Sequence, residues 1–409
     1  MSTPRTLVVI GAGLAGAKAA EAARAGGFDG RIVLVGEEHG APYERPPLSK
    51  AVLRGEKEPD TARVHPDGFY TEHDIELVHD TVTTLDADAE RVALAGGDTL
   101  EFDVAVIATG AAPRRLDVPG ADLAGVHLLR TIDDSVRLRD AIRSAGRVAV
   151  VGAGWIGSEV AASARQMGAE VVLVDPAPVP LQRVLGDEMG EVFRRLHTDH
   201  GVHLRLGVGV TELRGNGSVD AVVLGDGRVE PADVVVVGVG VTPRVDLARA
   251  AGLDVDNGIV VDEHLETSAA GIFAAGDVAN ALHPLYERHL RVEHWANALN
   301  QGVTAGRNAA GHREVYSRVP YFFSDQYDLG MEYVGNGDAG DLVTVRGDLA
   351  NRQFIAFWQR DGIVTAAMNV NVWDVVDDLK AIVEARTPIA PERLADDDVP
   401  LGSLHQPTH

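Results

Sequence analysis

Two glycine runs, Gly11-Ala-Gly13-Leu-Ala-Gly16 and Gly152-Ala-Gly154-Trp-Ile-Gly157, are where this 409-residue chain is best equipped for chemistry. In such a run the first glycine makes a tight turn. The second lets a pyrophosphate approach bare backbone, and the third lets the following helix pack on the preceding strand. The start of that helix offers unpaired N–H groups and a positive dipole end to phosphate oxygens. Roughly twenty residues further on, each run is answered by an acid, Glu37 and Asp175, able to accept hydrogen bonds from ribose hydroxyls. A 2′-phosphate beside Asp175 would meet like charge, with no basic residue near until Arg183, so the second site is expected to take NADH rather than NADPH.

Each run needs a frame, and the chain supplies the same one twice. Residues 6–10 form a short apolar run suited to a strand buried on both faces. After the glycines come an alanine-rich helical stretch to Ala25, a Gly26-Gly27 stop and a second strand over 31–35. The pattern returns 141 residues later, Gly11 becoming Gly152: a strand over 147–151, a helix over 158–167 and a strand over 171–174. A second feature also repeats. Asp103 to Gly110 leads to Pro113-Arg114, and Asp233 to Gly240 leads to Pro243-Arg244, the proline falling ten residues after the aspartate both times. Two features repeating at matched offsets imply two related domains. Ile272-Phe-Ala-Ala-Gly-Asp277 is a strand ending in Gly-Asp, placed so that the chain re-enters the first domain, where Asp277 can bond the ribityl chain of a flavin.

Composition narrows the classes. A net charge of −24 suits neither nucleic acid nor an anionic membrane. No stretch reaches the length of a transmembrane helix, and the first apolar run is too short for a secretion signal, so a cytoplasmic protein is expected. The chain has no cysteine, which removes thiol chemistry and cysteine-ligated clusters from it. Any iron–sulfur centre must sit on another protein. His197, His200 and His203 lack a ligand pattern and are expected on the surface, with no metal site.

Further segments carry a resemblance: Pro42-Tyr-Glu-Arg-Pro-Pro-Leu-Ser-Lys50, Leu129-Arg130-Thr, Leu181-Gln-Arg-Val-Leu, Ala274-Ala-Gly-Asp277, Glu293-His-Trp295-Ala-Asn-Ala and Ser324-Asp-Gln-Tyr. With the glycine runs, they make the chain resemble the NADH-dependent, FAD-containing ferredoxin reductases of bacterial oxygenase systems, from Val8 to about Leu379. The fold this implies is α/β: two Rossmann-like dinucleotide-binding domains in a glutathione-reductase-like architecture, plus a C-terminal α+β domain. Residues 1–110 and 244–318 would form the FAD-binding domain, 111–243 the NADH-binding domain, and 319–409 the C-terminal domain with an acidic tail. The resemblance implies FAD contacts from Gly11, Gly13, Ala15, Gly16, Glu37, Lys50, Val82, Gly110, Arg130, Asp277 and Trp295, and NADH contacts from Gly152, Gly154, Gly157, Glu159, Asp175 and Gly240. Lys50 and Glu159 would pair beside the reactive flavin nitrogen, where a cation stabilises charge developing on the ring. The implied activity moves electrons from NADH through FAD to an iron–sulfur ferredoxin feeding a haem-thiolate monooxygenase or an aromatic dioxygenase, in a monomer or homodimer. The alternatives are an NADH oxidase and a redox-sensing, NADH-binding interaction protein like apoptosis-inducing factor.

Some details depart from that pattern. Relatives commonly carry tryptophans before Ser-Asp-Gln-Tyr, where this chain has Tyr321-Phe322-Phe323, which either keep a stacking role or belong to the core. Residues 286–320 carry five Arg against three Glu, a local excess that would steer an acidic partner if it forms a patch. Trp155 is expected to pack. Residues 354–358 and 363–370 read as strands, a helix is expected from Val372, and 388–409 as a loose acidic tail.

Overall fold

The apolar runs at 6–10 and 31–35 have no polar face, as a strand covered on both sides requires. In the computed structural model, which describes residues 5–405, the strands Thr6–Ile10 and Arg31–Gly36 pair in parallel with Leu7 opposite Ile32. They lie in a five-stranded parallel sheet ordered Ile272–Ala274, Val104–Ile107, Thr6–Ile10, Arg31–Gly36, Ile75–His79. By compactness the chain divides into two units. The first comprises Met1–Glu44, Asp60–Ala112 and Thr242–Pro320; the second comprises Arg45–Pro59, Pro113–Val241 and Tyr321–His409.

In the first unit the alanines of the helix Leu14–Ala25 have a packing purpose. The helix Trp295–Ala309 meets it so closely that a Cβ on Gly302 would lie 2.4 Å from the Ala15 carbonyl oxygen, and one on Gly306 would lie 2.1 Å from that of Ala19. Small side chains on both helices allow the backbones to touch.

The second unit repeats the plan. Its parallel sheet runs His203–Leu206, Glu170–Asp175, Arg147–Val151, Val234–Val237, Val126–His127, with Val148 between Val171 and Val234. The segment Arg45–Pro59 packs here through Leu53, fully buried with Leu138 and Ile142. Residues 321–370 form an antiparallel sheet ordered Tyr321–Gln326, Leu329–Gly335, Ile363–Val370, Gln353–Arg360, Leu342–Asp348. Its core of Phe354, Trp358 and Met368 closes against Leu185, Met189 and Phe193 of the helix Gln182–Asp199. The α/β class with a C-terminal α+β portion is thus the fold.

Two local expectations need correction. The last long helix spans Val376–Ala385, not from Val372. Asn371 and Asp374 take left-handed φ of 51° and 63°, and the Asn371 side chain accepts from the Gly330 N–H at 2.9 Å, so the chain turns before it coils. The tail is docked rather than loose as far as it is described. Ile389, Leu394 and Leu404 are buried, Pro391–Ala395 is helical, and the Ile389 carbonyl accepts from Gln359 at 2.8 Å. Acidic residues flank these apolar anchors and hide them in an average of composition. Residues 406–409 lie outside the described part.

Candidate functional site

The two glycine turns are near-copies in geometry. Gly11 and Gly152 sit at φ of +112° and +103°, and a Cβ on either would lie 2.3 Å from a carbonyl oxygen, that of Ala108 or Gly238. Only glycine meets both demands. A Cβ on Gly16 or Gly157 would fall 1.9 or 1.8 Å from the carbonyl oxygen of the first glycine of its run. A Cβ on Gly13 or Gly154, by contrast, meets nothing within 4 Å. These middle glycines are also the N-caps of the helices Leu14–Ala25 and Trp155–Gln166, and no side chain caps either helix. Each turn therefore pairs an open approach with uncapped N–H donors, which is what a pyrophosphate needs.

The two acids have different surroundings. Glu37 is exposed and ion-paired with Arg244. Asp175 is half-buried and accepts from the backbone N–H of Ala153 at 2.6 Å and of Ala177 at 2.7 Å. The repeated Pro-Arg elements lie beside the repeated glycines. Arg244 N–H donates to the Gly110 carbonyl and Arg114 N–H to the Gly240 carbonyl, both at 2.9 Å. In the first unit Ala15 is buried, Val82 opens a strand opposite Leu94, Asp277 follows Gly276 at φ +82° in a short turn, and Trp295 begins its helix. The Asp277 carbonyl accepts from Arg291 at 3.2 Å.

In the second unit, Lys50 and Glu159 are brought together. Lys50 Nζ lies 2.8 Å from Glu159 Oε1, with side chains 12% and 5% exposed. Lys50 is held at the junction of the turns Pro46–Ser49 and Ala51–Arg54. Glu159 stands on the second glycine helix, two residues after Gly157. Two hydroxyls complete its shell: Ser49 Oγ donates to Oε2 at 2.5 Å and Ser324 Oγ to Oε1 at 2.8 Å. The motif segments contained both serines, but sequence reasoning gave them no role. The available signal was the alternation of the strand Tyr321–Gln326, which puts polar Ser324 and Gln326 on its buried face. Asp325, on the open face, is raised above the usual carboxylate range by loss of surrounding water, with Lys50 opposing and Glu159 adding. Arg130 is placed by its backbone: its N–H donates to Asp134 at 3.1 Å and its carbonyl accepts from Arg45.

The aromatic residues divide. Phe322 is core, stacked on Tyr333 at 5.0 Å, whereas the Phe323 ring lies 5.7 Å from Lys50 Nζ. The Tyr321 hydroxyl donates to Glu332 at 2.8 Å. Trp155 packs edge-on against Phe322 and Phe193. In the 286–320 segment, Arg291 pairs with Glu293 and Arg307 with Glu314, and the excess of positive charge is carried by Arg288, Arg313 and Arg318 against Glu287. One expectation changes. His203 is exposed, but His197 is fully buried, and burial pushes its pKa down to about 4. The helix Gln182–Asp199 turns that side chain inward beneath the sheet, which single-residue polarity does not reveal.

Two open dinucleotide turns, each on its own parallel sheet, define an oxidoreductase that handles two nucleotides. Residues 5–302 match the pyridine nucleotide-disulphide oxidoreductase family and residues 321–405 the reductase C-terminal family. The chain is 38% identical to rhodocoxin reductase of Rhodococcus erythropolis over 409 residues, covering 99% of this chain and 96% of that protein. It is 40% identical to the anthranilate 1,2-dioxygenase system ferredoxin–NAD(+) reductase component of Burkholderia cepacia, covering 97% and 98%. The crystal structure of the ferredoxin reductase for the CYP199A2 system from Rhodopseudomonas palustris superimposes with a TM-score of 0.94 at 38% identity, covering 97% of this chain and 98% of that one. The chain belongs to the pyridine nucleotide-disulphide oxidoreductase family, and its cofactors are FAD and NAD(H). Its residues fit both groups: the space beside Gly13 and Gly154 is open, with nothing within 4 Å of where a Cβ would stand, and each adjoins a helix start without a side-chain cap.

Proposed function

We propose that this protein passes electrons from NADH through FAD to a small iron–sulfur ferredoxin that serves an oxygenase. The observation that carries this reading is the pairing of two open glycine turns with the absence of any cysteine. Two nucleotides can be held, but no thiol of this chain can receive the electrons, so the acceptor lies outside the chain. FAD, when bound, supplies the conversion of a two-electron hydride donor into a one-electron donor.

The remaining work falls to side chains and backbone. We assign FAD to residues 1–110 and 244–318, NADH to 111–243, and a covering role to 319–409. Gly11, Gly13 and Gly16 would admit the FAD pyrophosphate, with Ala15, Val82, Gly110, Arg130, Asp277 and Trp295 contributing to the same site. Glu37 would exchange part of its bond with Arg244 for a ribose. Gly152, Gly154 and Gly157 would admit the NADH pyrophosphate, with Gly240 beside them. Asp175, fixed by two backbone donors, would present a rigid acceptor that refuses a 2′-phosphate. Lys50 would lend positive charge toward the flavin, and Glu159 would hold Lys50 and face the nicotinamide carboxamide. We place the protein in the cytoplasm; among the described residues no helix is long and apolar enough to cross a membrane.

The test is NADH-dependent cytochrome c reduction by the holoprotein, with and without a panel of bacterial ferredoxins and with NADPH as control. Stimulation by a ferredoxin, with NADH preferred, is expected. Rapid oxygen consumption unaffected by any ferredoxin would replace this reading with that of an oxidase.

A further inference from the structure

The buried face of the strand Tyr321–Gln326 carries polarity that packing does not require. Ser324 and Gln326 are each 1% exposed, and behind them His197 is 0% exposed. Leucine or phenylalanine would fill such positions without the cost of desolvating an amide and an imidazole. The hydrogen bonds give these groups a direction. Ser324 has one proton and directs it to Glu159 Oε1 at 2.8 Å. Its own oxygen then needs a donor, which Gln326 Nε2 provides at 3.3 Å.

That contact fixes the Gln326 amide so that Oε1 points away from Ser324. Gln326 Oε1, like His197 Nε2, is shielded from water and has no hydrogen-bond partner among the described residues. Both protons thus point the same way: Gln326 to Ser324, Ser324 to the carboxylate. Bonds arranged in series on an anion polarise one another.

We propose that Gln326 and Ser324 form a one-directional relay of hydrogen-bond donors, positioning residues whose task is to hold Glu159 as a fixed partner for Lys50. The inference rests on the reading of Lys50 and Glu159 as the pair serving the nicotinamide nucleotide. Without the relay, Glu159 would keep Ser49 and Lys50 but lose the bond that turns Oε1 toward Ser324.

A double-mutant cycle on the holoprotein tests it, read as the NAD+ dissociation constant by calorimetry and as the rate of flavin reduction by NADH. Ser324→Ala and Gln326→Leu should each weaken NAD+ binding roughly three- to tenfold, and the effect should vanish in a Glu159→Gln background. Ser324→Thr, which keeps the hydroxyl, should restore binding. Effects that multiply undiminished in the Glu159→Gln background would show residues acting through packing and overturn the relay. Single variants without effect, beside a damaging Glu159→Gln, would overturn the relay while leaving the pair intact. A Glu159→Gln protein identical to wild type in both readouts would remove the pair and the relay together. Should Ser324→Ala fail to fold, Ser324→Cys, which keeps the volume and weakens the donor, takes its place: weakened NAD+ binding is expected, and wild-type binding overturns the relay.

Discussion

Alanine substitutions at the two kinds of glycine separate folding from binding. At Gly157 the added methyl would sit 1.8 Å from the Gly152 carbonyl oxygen and 3.0 Å from its carbon. Both are backbone atoms, so helix and turn must part. Overpacking of this kind costs about 3 kcal/mol or more. At about 2–4 °C per kcal/mol for a domain of this size, the expected fall in Tm is roughly 6–12 °C. At Gly154 the methyl enters open space, and φ of −76° with ψ of −173° suits alanine. The only folding cost is that of an N-cap alanine, at most about 1 kcal/mol. The methyl would occupy the approach proposed for the pyrophosphate. Loss of one charge-assisted N–H contact is worth about 1.5–3 kcal/mol, a weakening of NAD+ binding by about 10- to 150-fold. Scanning calorimetry and NAD+ titration of the two variants should therefore give opposite patterns: Gly157→Ala unstable, Gly154→Ala folded but weakened in NAD+ binding. A Gly154→Ala protein with unchanged NAD+ affinity would refute the assignment of that turn. The same contrast should appear between Gly16→Ala and Gly13→Ala, read as FAD content after purification.

Three other outcomes are expected. Lys50→Met should retain FAD yet slow flavin reduction by NADH at least tenfold in rapid mixing, because it leaves Glu159 buried without its cation; an unchanged rate would remove Lys50 from the site. His197 has a folded-state pKa lowered from 6.5 to about 4. Below pH 6.5 the unfolded chain therefore takes a proton that the folded chain refuses, and stability falls with pH until the folded value is reached. The loss at pH 5.5 is about 1 kcal/mol. His197→Phe should shrink the drop in urea midpoint between pH 7.5 and 5.5, and an equal drop in both proteins would contradict the buried neutral imidazole. Leu394→Ala, within the expected loose tail, should cost about 2–5 kcal/mol because the side chain is fully buried; a change under about 0.5 kcal/mol would show the tail undocked.

What the sequence revealed followed from local rules. Strands without a polar face, and glycines whose φ or neighbours exclude a Cβ, are written in three to ten consecutive residues. That is why both βαβ units were legible from Gly11 and Gly152 outward. The C-terminal tail was misread because its apolar anchors, Ile389, Leu394 and Leu404, are separated by acids and have no period. His197 was misread because its burial depends on which way a long helix faces a sheet whose first strand begins more than a hundred residues later. Ser49 and Ser324 illustrate the same limit. Each is an ordinary serine until Glu159 is placed between them, a juxtaposition of residues 110 and 165 positions apart.

The repeat also explains where chemistry was free to evolve. Moving 141 residues along the chain carries Gly11 to Gly152, Gly13 to Gly154 and Gly16 to Gly157, and the backbone demands at these positions are nearly identical. The same step carries Lys18 to Glu159. Lys18, 19% exposed, forms an ordinary helix pair with Glu21 at 2.8 Å. Glu159 is sealed between two serines and a lysine. The turns could not diverge without losing the tight approach of strand, loop and helix, so the difference between the copies had to arise one step further along the helix. There a side chain leaves the shared frame and meets elements the other copy lacks, the loop bearing Ser49 and Lys50 and the strand bearing Ser324. An acid at that position is costly unless those partners are present, and here they are.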